Sequence, residues 1–319
     1  MKNSLLVLLA TALATQAAAQ DYPTRPVRVV IPFAAGGVSD LILRTFSEPL
    51  SKTLGQSIVS DNRGGAGGTL AAEHVARSAP DGYTLMLGNG GNLAIAPSLY
   101  QALPYDPQRD FAPVAMVTRA QLVLVVHPVL PVSSVKDLVQ LAKSKPGQLT
   151  YASSGVGAGP HLAAEMLKSF TGLNVVHVPY KGSAPMLASL MGGEVDMAFD
   201  AISTSLPHIR SGRLKGLAIS GDVRSSLMPD LPTVMESGVP KFNYASFFAL
   251  VAPAGTPSSI TGRLSREIVR ICETADVRKR LENLGLNPVP LAAAELDALL
   301  RKERTFWAGL IKSAQIKVE

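Results

Sequence analysis

Three glycine-rich segments stand where a short apolar run gives way to a helical pattern, at residues 32–37, 88–91 and 153–159. Glycine lets the backbone approach a ligand closely. A helix that begins at such a turn directs unpaired N–H groups and a partial positive charge back at it. Turns of this kind bind anions without an arginine. Because ligands of open α/β sheets bind at the carboxyl ends of strands, these three turns are the candidate ligand-binding elements.

Two interpretations of these turns stay open. Ordinary tight strand-to-helix connections have the same glycine content, whereas turns that face each other across a cleft hold a carboxylate. His161 follows the third turn and either bonds locally or contacts a ligand. Asp40 lies in a first helical turn, where a carboxylate stabilises the helix dipole. Asp200 ends an apolar strand and either receives a ligand hydroxyl or amine, or caps a turn.

Other site chemistries are poorly supported. Gly155, Gly157 and Gly159 begin like a dinucleotide fingerprint, but its last glycine would fall on Pro160 and the acidic partner is missing. The sequence has no P-loop motif and no G-x-S-x-G elbow. Its five histidines do not have H-E-x-x-H spacing, and the single cysteine, Cys272, cannot build a thiolate zinc site. We predict no cofactor, no metal site and no catalytic residues.

The elements that position these turns alternate between strands and helices. Apolar runs at residues 27–31, 83–87, 149–152 and 195–199 read as strands, with helical patterns between them. Strands separated by helices predict βαβ units, a parallel sheet and the α/β class. Pro49 lies inside the first helical pattern and is expected to kink or split it. Helices are expected to close the chain from about residue 258 onward.

The N-terminus is typical of a secretory signal peptide. Lys2 precedes an apolar run over residues 5–13, and a small-residue cleavage pattern follows at residues 17–20. The run is shorter than the roughly 20 apolar residues that span a bilayer. We therefore expect a periplasmic protein whose mature chain begins near Gln20.

The charge composition of the chain limits the kinds of partner that it can bind. The formal net charge is +6, and it falls to +5 when Lys2 leaves with the signal peptide. The basic residues are scattered and do not form a stripe with interleaved aromatics, so nucleic-acid binding has little support. We divide the chain into a signal peptide (residues 1–19), a first lobe (residues 20–123 and 246–319) and a second lobe (residues 124–245).

Ordered motifs that extend along the mature chain make it similar to one family. They include Tyr22-Pro23-x-Arg25-Pro26, Pro32-Phe33-x-x-Gly36-Gly37-x-Ser39-Asp40, Asp61-Asn62-Arg63-x-Gly65, Ala79-Pro80-Asp81-Gly82-Tyr83, His177-Val178-Pro179-Tyr180-Lys181-Gly182 and Ala252-Pro253-Ala254-Gly255-Thr256-Pro257. By these motifs the chain resembles the Bug receptors, the TctC-like solute-binding proteins of tripartite tricarboxylate transporters. The resemblance implies a two-lobed, type II-like Venus-flytrap fold with two crossing strands.

The resemblance also implies a set of cleft residues. The first glycine turn and the Ser-Ser-Gly turn would hold a carboxylate, largely through backbone N–H groups and water. By position, the ligand-binding residues would be Phe33, Ala35, Gly36, Gly37, Asn89, Ser153, Ser154, Gly157 and His161, with Asp200 as a specificity residue. The chain departs from the family pattern at Val38, Gly64 and Ala201, which leaves the substrate open.

The function expected from this resemblance is a monomeric receptor. It would capture a small carboxylate and present it to the membrane permease subunits of a tripartite transporter. A secreted hydrolase-like enzyme acting in the same cleft and a solute sensor that feeds a signalling partner are the alternatives. Because few charged residues are candidates for the cleft, the sequence favours a ligand with an apolar or aromatic body.

Overall fold

The computed structural model describes residues 22–33, 35, 37–65, 68–180, 182–313 and 316. The predicted signal peptide and the site candidate Gly36 lie outside this range. Among the described residues, no helix has the length and apolar character needed to cross a membrane.

The first block of the chain alternates short strands with helices. Its strands are rich in β-branched residues such as Val29 and Val30, which fit a pleated, buried sheet. In chain order the elements are β1 (Val27–Ile31), α1 (Val38–Leu54), β2 (Ile58–Asn62), α2 (Thr69–Ala76), β3 (Thr84–Asn89), a π-helical turn (Gly91–Ile95) and α3 (Ala96–Leu99).

Helix α1 runs unbroken through Pro49, so the expected split of this helix is wrong. Phe46 and Leu50 lie on either side of Pro49 and are almost completely buried. Packing of this apolar face against the core holds the helix together where the missing N–H of proline weakens it.

The middle block repeats the pattern after one long strand. Its helix α4 begins after Ser134, whose Oγ caps the helix by accepting a hydrogen bond from the Asp137 N–H at 3.1 Å. The elements are β4 (Phe111–Val126), α4 (Val135–Ser144), β5 (Thr150–Ser153), α5 (Gly159–Thr171), β6 (Val176–Pro179), α6 (Ser183–Met191), β7 (Met197–Ala201), α7 (Ile202–Arg210) and β8 (Lys215–Ile219).

The chain ends with one more strand and three helices, and a further strand that the sequence pattern did not indicate. That strand, β10, contains Pro288 and Pro290, which hide a strand pattern, and its pairing with β4 is irregular between Pro288 and Leu291. The elements are β9 (Ala245–Pro253), α8 (Ser258–Cys272), α9 (Ala275–Asn283), β10 (Leu286–Ala292) and α10 (Ala293–Ser313).

The strands join in the order β2-β1-β3-β9-β4-β7-β5-β6, with β8 and β10 also paired to β4. Pairing is parallel among β1, β2 and β3 and among β5, β6 and β7, as the βαβ pattern predicted. It is antiparallel between β4 and β9. The sheet is therefore mixed rather than wholly parallel, because β4 leads out of the first block and β9 leads back to it.

Helix α10 packs against both blocks. Its first half contributes Leu296 and Leu300 to the apolar cluster that contains Met86. Its second half contributes Trp307 to the cluster that contains Tyr151. The two crossing strands and this helix together connect the blocks on either side of the cleft.

We expect the buried face of α1 to dominate the stability of the first block. Replacing Phe46, which is fully buried, by alanine should lower the free energy of unfolding by about 3 to 5 kcal/mol, because it leaves a cavity. Phe306→Ala is the matched control, since that ring is 40% exposed and should cost about 1 kcal/mol or less. Urea denaturation followed by circular dichroism measures both, and equal losses would contradict this assignment of the core.

Candidate functional site

A cavity of about 720 Å³ lies between the two blocks and is bounded by both. The first block contributes Phe33, Gly37 and Asn89, which follow or end strands β1 and β3. The second block contributes Ser154 and Gly157, which follow strand β5. The cavity thus lies at the carboxyl ends of strands, where open α/β sheets bind their ligands.

The wall of the cavity is largely apolar. Among the described residues that line it, none is an aspartate, glutamate, lysine, arginine or histidine. Its apolar side chains come from both blocks and from the final third of the chain, and they include Val38, Leu41, Ile95, Leu99, Leu122, Val156, Leu162, Ile202, Phe248, Leu284 and Leu286. Such a wall, with a few polar groups, is typical of a small-molecule site.

Three helices of eight or more residues begin at this cavity: α1 at Val38, α5 at Gly159 and α7 at Ile202. Each presents first-turn N–H groups that have no partner within the helix. Helix α5 has no side-chain cap and no acidic residue in its first turn. Its start is therefore electropositive and able to receive an anion.

An acidic residue lies in the first turn of α1 and another lies just before α7, although no side chain caps either helix. Asp40 lies in the first turn of α1, where its Oδ2 accepts a hydrogen bond from Arg44 Nε at 3.1 Å. Asp200 precedes α7, and its Oδ2 accepts hydrogen bonds from Thr204 Oγ1 at 2.5 Å and Ser205 Oγ at 2.8 Å. Burial raises the pKa of the Asp200 carboxyl, and these hydroxyl donors oppose that effect.

The glycine turn before α5 rests on a stack of aromatic rings. The rings of Tyr151 and His177 are 4.7 Å apart, and those of His177 and His161 are 4.2 Å apart. His177 Nε2 lies 2.7 Å from Ser153 Oγ, at the start of the turn. Glu165 accepts a hydrogen bond from the Tyr151 hydroxyl at 2.5 Å.

His161 closes the turn from the other side. Its Nδ1 accepts a hydrogen bond from the Gly157 N–H at 2.9 Å, which requires Nδ1 to be unprotonated. Burial, and next the neighbouring His177, lower the pKa of His161 to about 4. A neutral His161 therefore supports the conformation of a cavity-lining glycine.

The structure places the described site residues that the sequence predicted in three different positions relative to the cavity. Phe33, Gly37, Asn89, Ser154 and Gly157 line the cavity. Ser153, His161 and Asp200 are buried behind its wall, and Ala35 is exposed outside it.

Tyr244 lines the cavity and was not among the predicted site residues. Its side chain is 3% exposed, and a Cβ added to Gly159 would lie 2.7 Å from its hydroxyl oxygen. Within the part of the chain that the structure describes, that hydroxyl has no hydrogen-bond partner. No local sequence signal could have found it, because Tyr244 and Gly159 lie 85 positions apart.

Comparison with known families finds one match that covers most of the chain. The family described as "Tripartite tricarboxylate transporter family receptor" matches residues 42–316. Protein BugT of Bordetella pertussis is 36% identical over 315 residues, covering 98% of this chain and 97% of BugT.

Two solved structures from Rhodopseudomonas palustris are also similar. Rpa4515, determined with adipate, has a TM-score of 0.82 at 36% identity and covers 93% of this chain and 100% of its own. MatC, determined with bound malate, has a TM-score of 0.76 at 34% identity and covers 91% of this chain and 100% of its own. These likenesses confirm the predicted two-lobed α/β fold.

The neutral state of His161 predicts a pH dependence of stability. An unfolded histidine has a pKa of about 6.5, so the unfolded chain binds the proton first as pH falls towards the folded pKa of about 4. The contribution of His161 is complete above about pH 6.5, and ~3 kcal/mol of unfolding free energy is lost as pH falls to about 4.

His161→Asn tests this dependence, because its side-chain oxygen can still accept the Gly157 N–H but does not titrate. Urea denaturation between about pH 7 and pH 4 should give a flatter stability curve for this variant than for the wild type. His127→Asn, in the turn after β4 and outside the stack, is the control and should keep the wild-type slope. A wild-type slope in His161→Asn would show that the buried imidazole does not control this dependence.

Proposed function

Because this chain belongs to the tripartite tricarboxylate transporter family of receptors, we propose that it binds a small carboxylate in the interlobe cavity and delivers it to membrane permease subunits. The observation that carries the proposal is the start of helix α5, which faces the cavity without an acidic residue or a side-chain cap. A bound carboxylate would supply the acceptor that these N–H groups lack.

Tyr244 would complete this anchor. Its hydroxyl lies beside Gly159 and has no partner among the described residues. Burial raises the pKa of Tyr244 well above its usual range, so the phenol remains protonated and can donate. A carboxylate oxygen at the α5 start would accept hydrogen bonds from the backbone N–H groups and from this O–H group.

Capture would proceed by closure of the two lobes. Strands β4 and β9 both cross between them and pair with each other over residues 111–121 and 245–253. Small backbone changes in two adjacent crossing strands allow a hinge motion. Helix α10 packs against both lobes and would therefore limit the direction of this hinge motion.

We also propose that the protein is periplasmic and that it does not catalyse a reaction of its ligand. The family is one of periplasmic receptors, and a signal peptide cleaved before Gln20 would place this chain there. Ser153 and His177 are within hydrogen-bond distance, as in a nucleophile–base pair. Ser153 is completely buried behind the cavity wall, which favours a structural role over attack on a ligand.

Ligand binding should be visible as thermal stabilisation. The mature chain, refolded to remove bound solute, is screened against aliphatic, hydroxy, amino and aromatic acids. A true ligand at 100 times its dissociation constant should stabilise the fold by about 2.7 kcal/mol. The bound acid should be recovered chemically unchanged, since a receptor does not turn it over. If no carboxylate raises the melting temperature, the proposed function is wrong.

Tyr244→Phe tests the anchor. Loss of one hydrogen bond to a charged group, about 1.5 to 3 kcal/mol, should weaken carboxylate binding about tenfold or more in calorimetric titration. Tyr83→Phe is the matched control, because that hydroxyl bonds to Thr24 in the first lobe and does not line the cavity. Equal affinities of Tyr244→Phe and wild type would exclude the phenol from the anchor.

A further inference from the structure

The distribution of charge around the cavity restricts the ligand further. Building on the proposed function, we infer that the ligand is a monocarboxylate whose remaining body is uncharged and largely apolar. Three observations support this class: a single described helix start at the cavity with no acidic residue in or next to its first turn, the absence of charge from the described wall, and the apolar walls on both sides of the cleft.

Among the described residues, one helix start at the cavity has no acidic residue in or next to its first turn. This is the start of α5, which lies next to the Tyr244 hydroxyl, a group without a hydrogen-bond partner in the described part of the chain. The start of α7 lies next to the buried carboxyl of Asp200, which already takes the hydroxyl donors of Thr204 and Ser205. The start of α1 likewise contains the carboxylate of Asp40.

A second charge elsewhere on the ligand would have no counter-charge. The described residues of the wall include no arginine or lysine for another carboxylate and no acidic side chain for an ammonium group. Burial of an unpaired charge in such a wall is strongly unfavourable. Diacids and α-amino acids should therefore bind less well than acids of the same size that lack the second charge.

The shape and chemistry of the wall fit an apolar body. Val38 and Leu41 on one side are 43% and 38% exposed, and Val156 on the other side is 42% exposed. All three line the cavity, so lobe closure over an apolar body would remove them from water. A volume of about 720 Å³ lies within the usual range for small-molecule sites, roughly 300 to 1,000 Å³. It has room for a ring or a medium-length chain.

Matched ligand pairs test this inference directly. Refolded mature protein is titrated calorimetrically with hexanoate and adipate, benzoate and terephthalate, and 3-phenylpropanoate and phenylalanine. In each pair the first acid lacks the second charge, and at least one such acid should bind about tenfold or more tighter than its partner.

The possible failures are distinguishable. If the diacids or the amino acid bind more tightly than their uncharged counterparts, the monocarboxylate inference is wrong and the receptor proposal stands. If none of the six compounds and no other carboxylate binds, the proposed function fails together with the inference.

A variant that adds a positive charge to the cavity wall provides a second test. Leu41→Arg supplies the missing counter-charge from a partly exposed position in the wall, so it should shift the preference between hexanoate and adipate towards adipate by about tenfold. Leu70→Arg carries the same change on helix α2, outside the cavity, and should keep the wild-type preference. An unchanged preference in Leu41→Arg would overturn the view that missing counter-charge excludes diacids.

Discussion

The unpaired N–H groups at the start of helix α5 are the constraint on which the site depends. Backbone donors that lack partners are costly when they are removed from water. Here they lie at a cavity wall without a side-chain cap. The preceding turn is held in place by the hydrogen bond from Gly157 to a neutral His161 and by the Ser153–His177 contact. These contacts fix the backbone conformation of the turn that leads into α5.

The two other helix starts differ because each has a buried aspartate in or next to its first turn. Asp40 and Asp200 are both about 1% exposed, and both place a carboxylate where a helix dipole favours negative charge. Asp200 is held by two hydroxyl groups, and one of them belongs to Thr204 in the cavity wall. Acidic side chains thus lie in or next to the first turns of α1 and α7, whereas none lies in or next to the first turn of α5.

The cavity exists because the sheet is shared by two blocks. Strand β4 pairs with β9 and β10 over its first part and with β7 and β8 over its last part. Each block keeps its own parallel strands and its own apolar clusters. Helix α10 contributes to clusters on both sides, so lobe motion must preserve its contacts or shift them together. The proposed closure would therefore depend on these few connecting elements.

Local pattern in the sequence was sufficient for much of the architecture. The alternation of apolar runs and helical segments predicted the α/β class, and strands β1 and β3 lie where the apolar runs indicated. The motifs predicted the family, which the comparisons confirm. The glycine turns were predicted as ligand-binding elements, and Gly37, Asn89 and Gly157 do line the cavity. These features depend on residues that are close together in the chain, so the spacing of apolar residues and the residue types of the turns reveal them.

Tertiary structure alone decided the rest. Helix α1 continues through Pro49 because the burial of Phe46 and Leu50 outweighs the local effect of the proline. Tertiary contacts also allow β10 to form despite its prolines. They place Asp200 behind the cavity wall and bring the Tyr244 hydroxyl next to Gly159. Each of these outcomes depends on contacts between residues far apart in sequence or on the competition between burial and local preference. A short stretch of sequence encodes neither the long-range contacts nor the outcome of that competition. The fold class could therefore be predicted from the sequence, whereas the distribution of charge around the cavity could not.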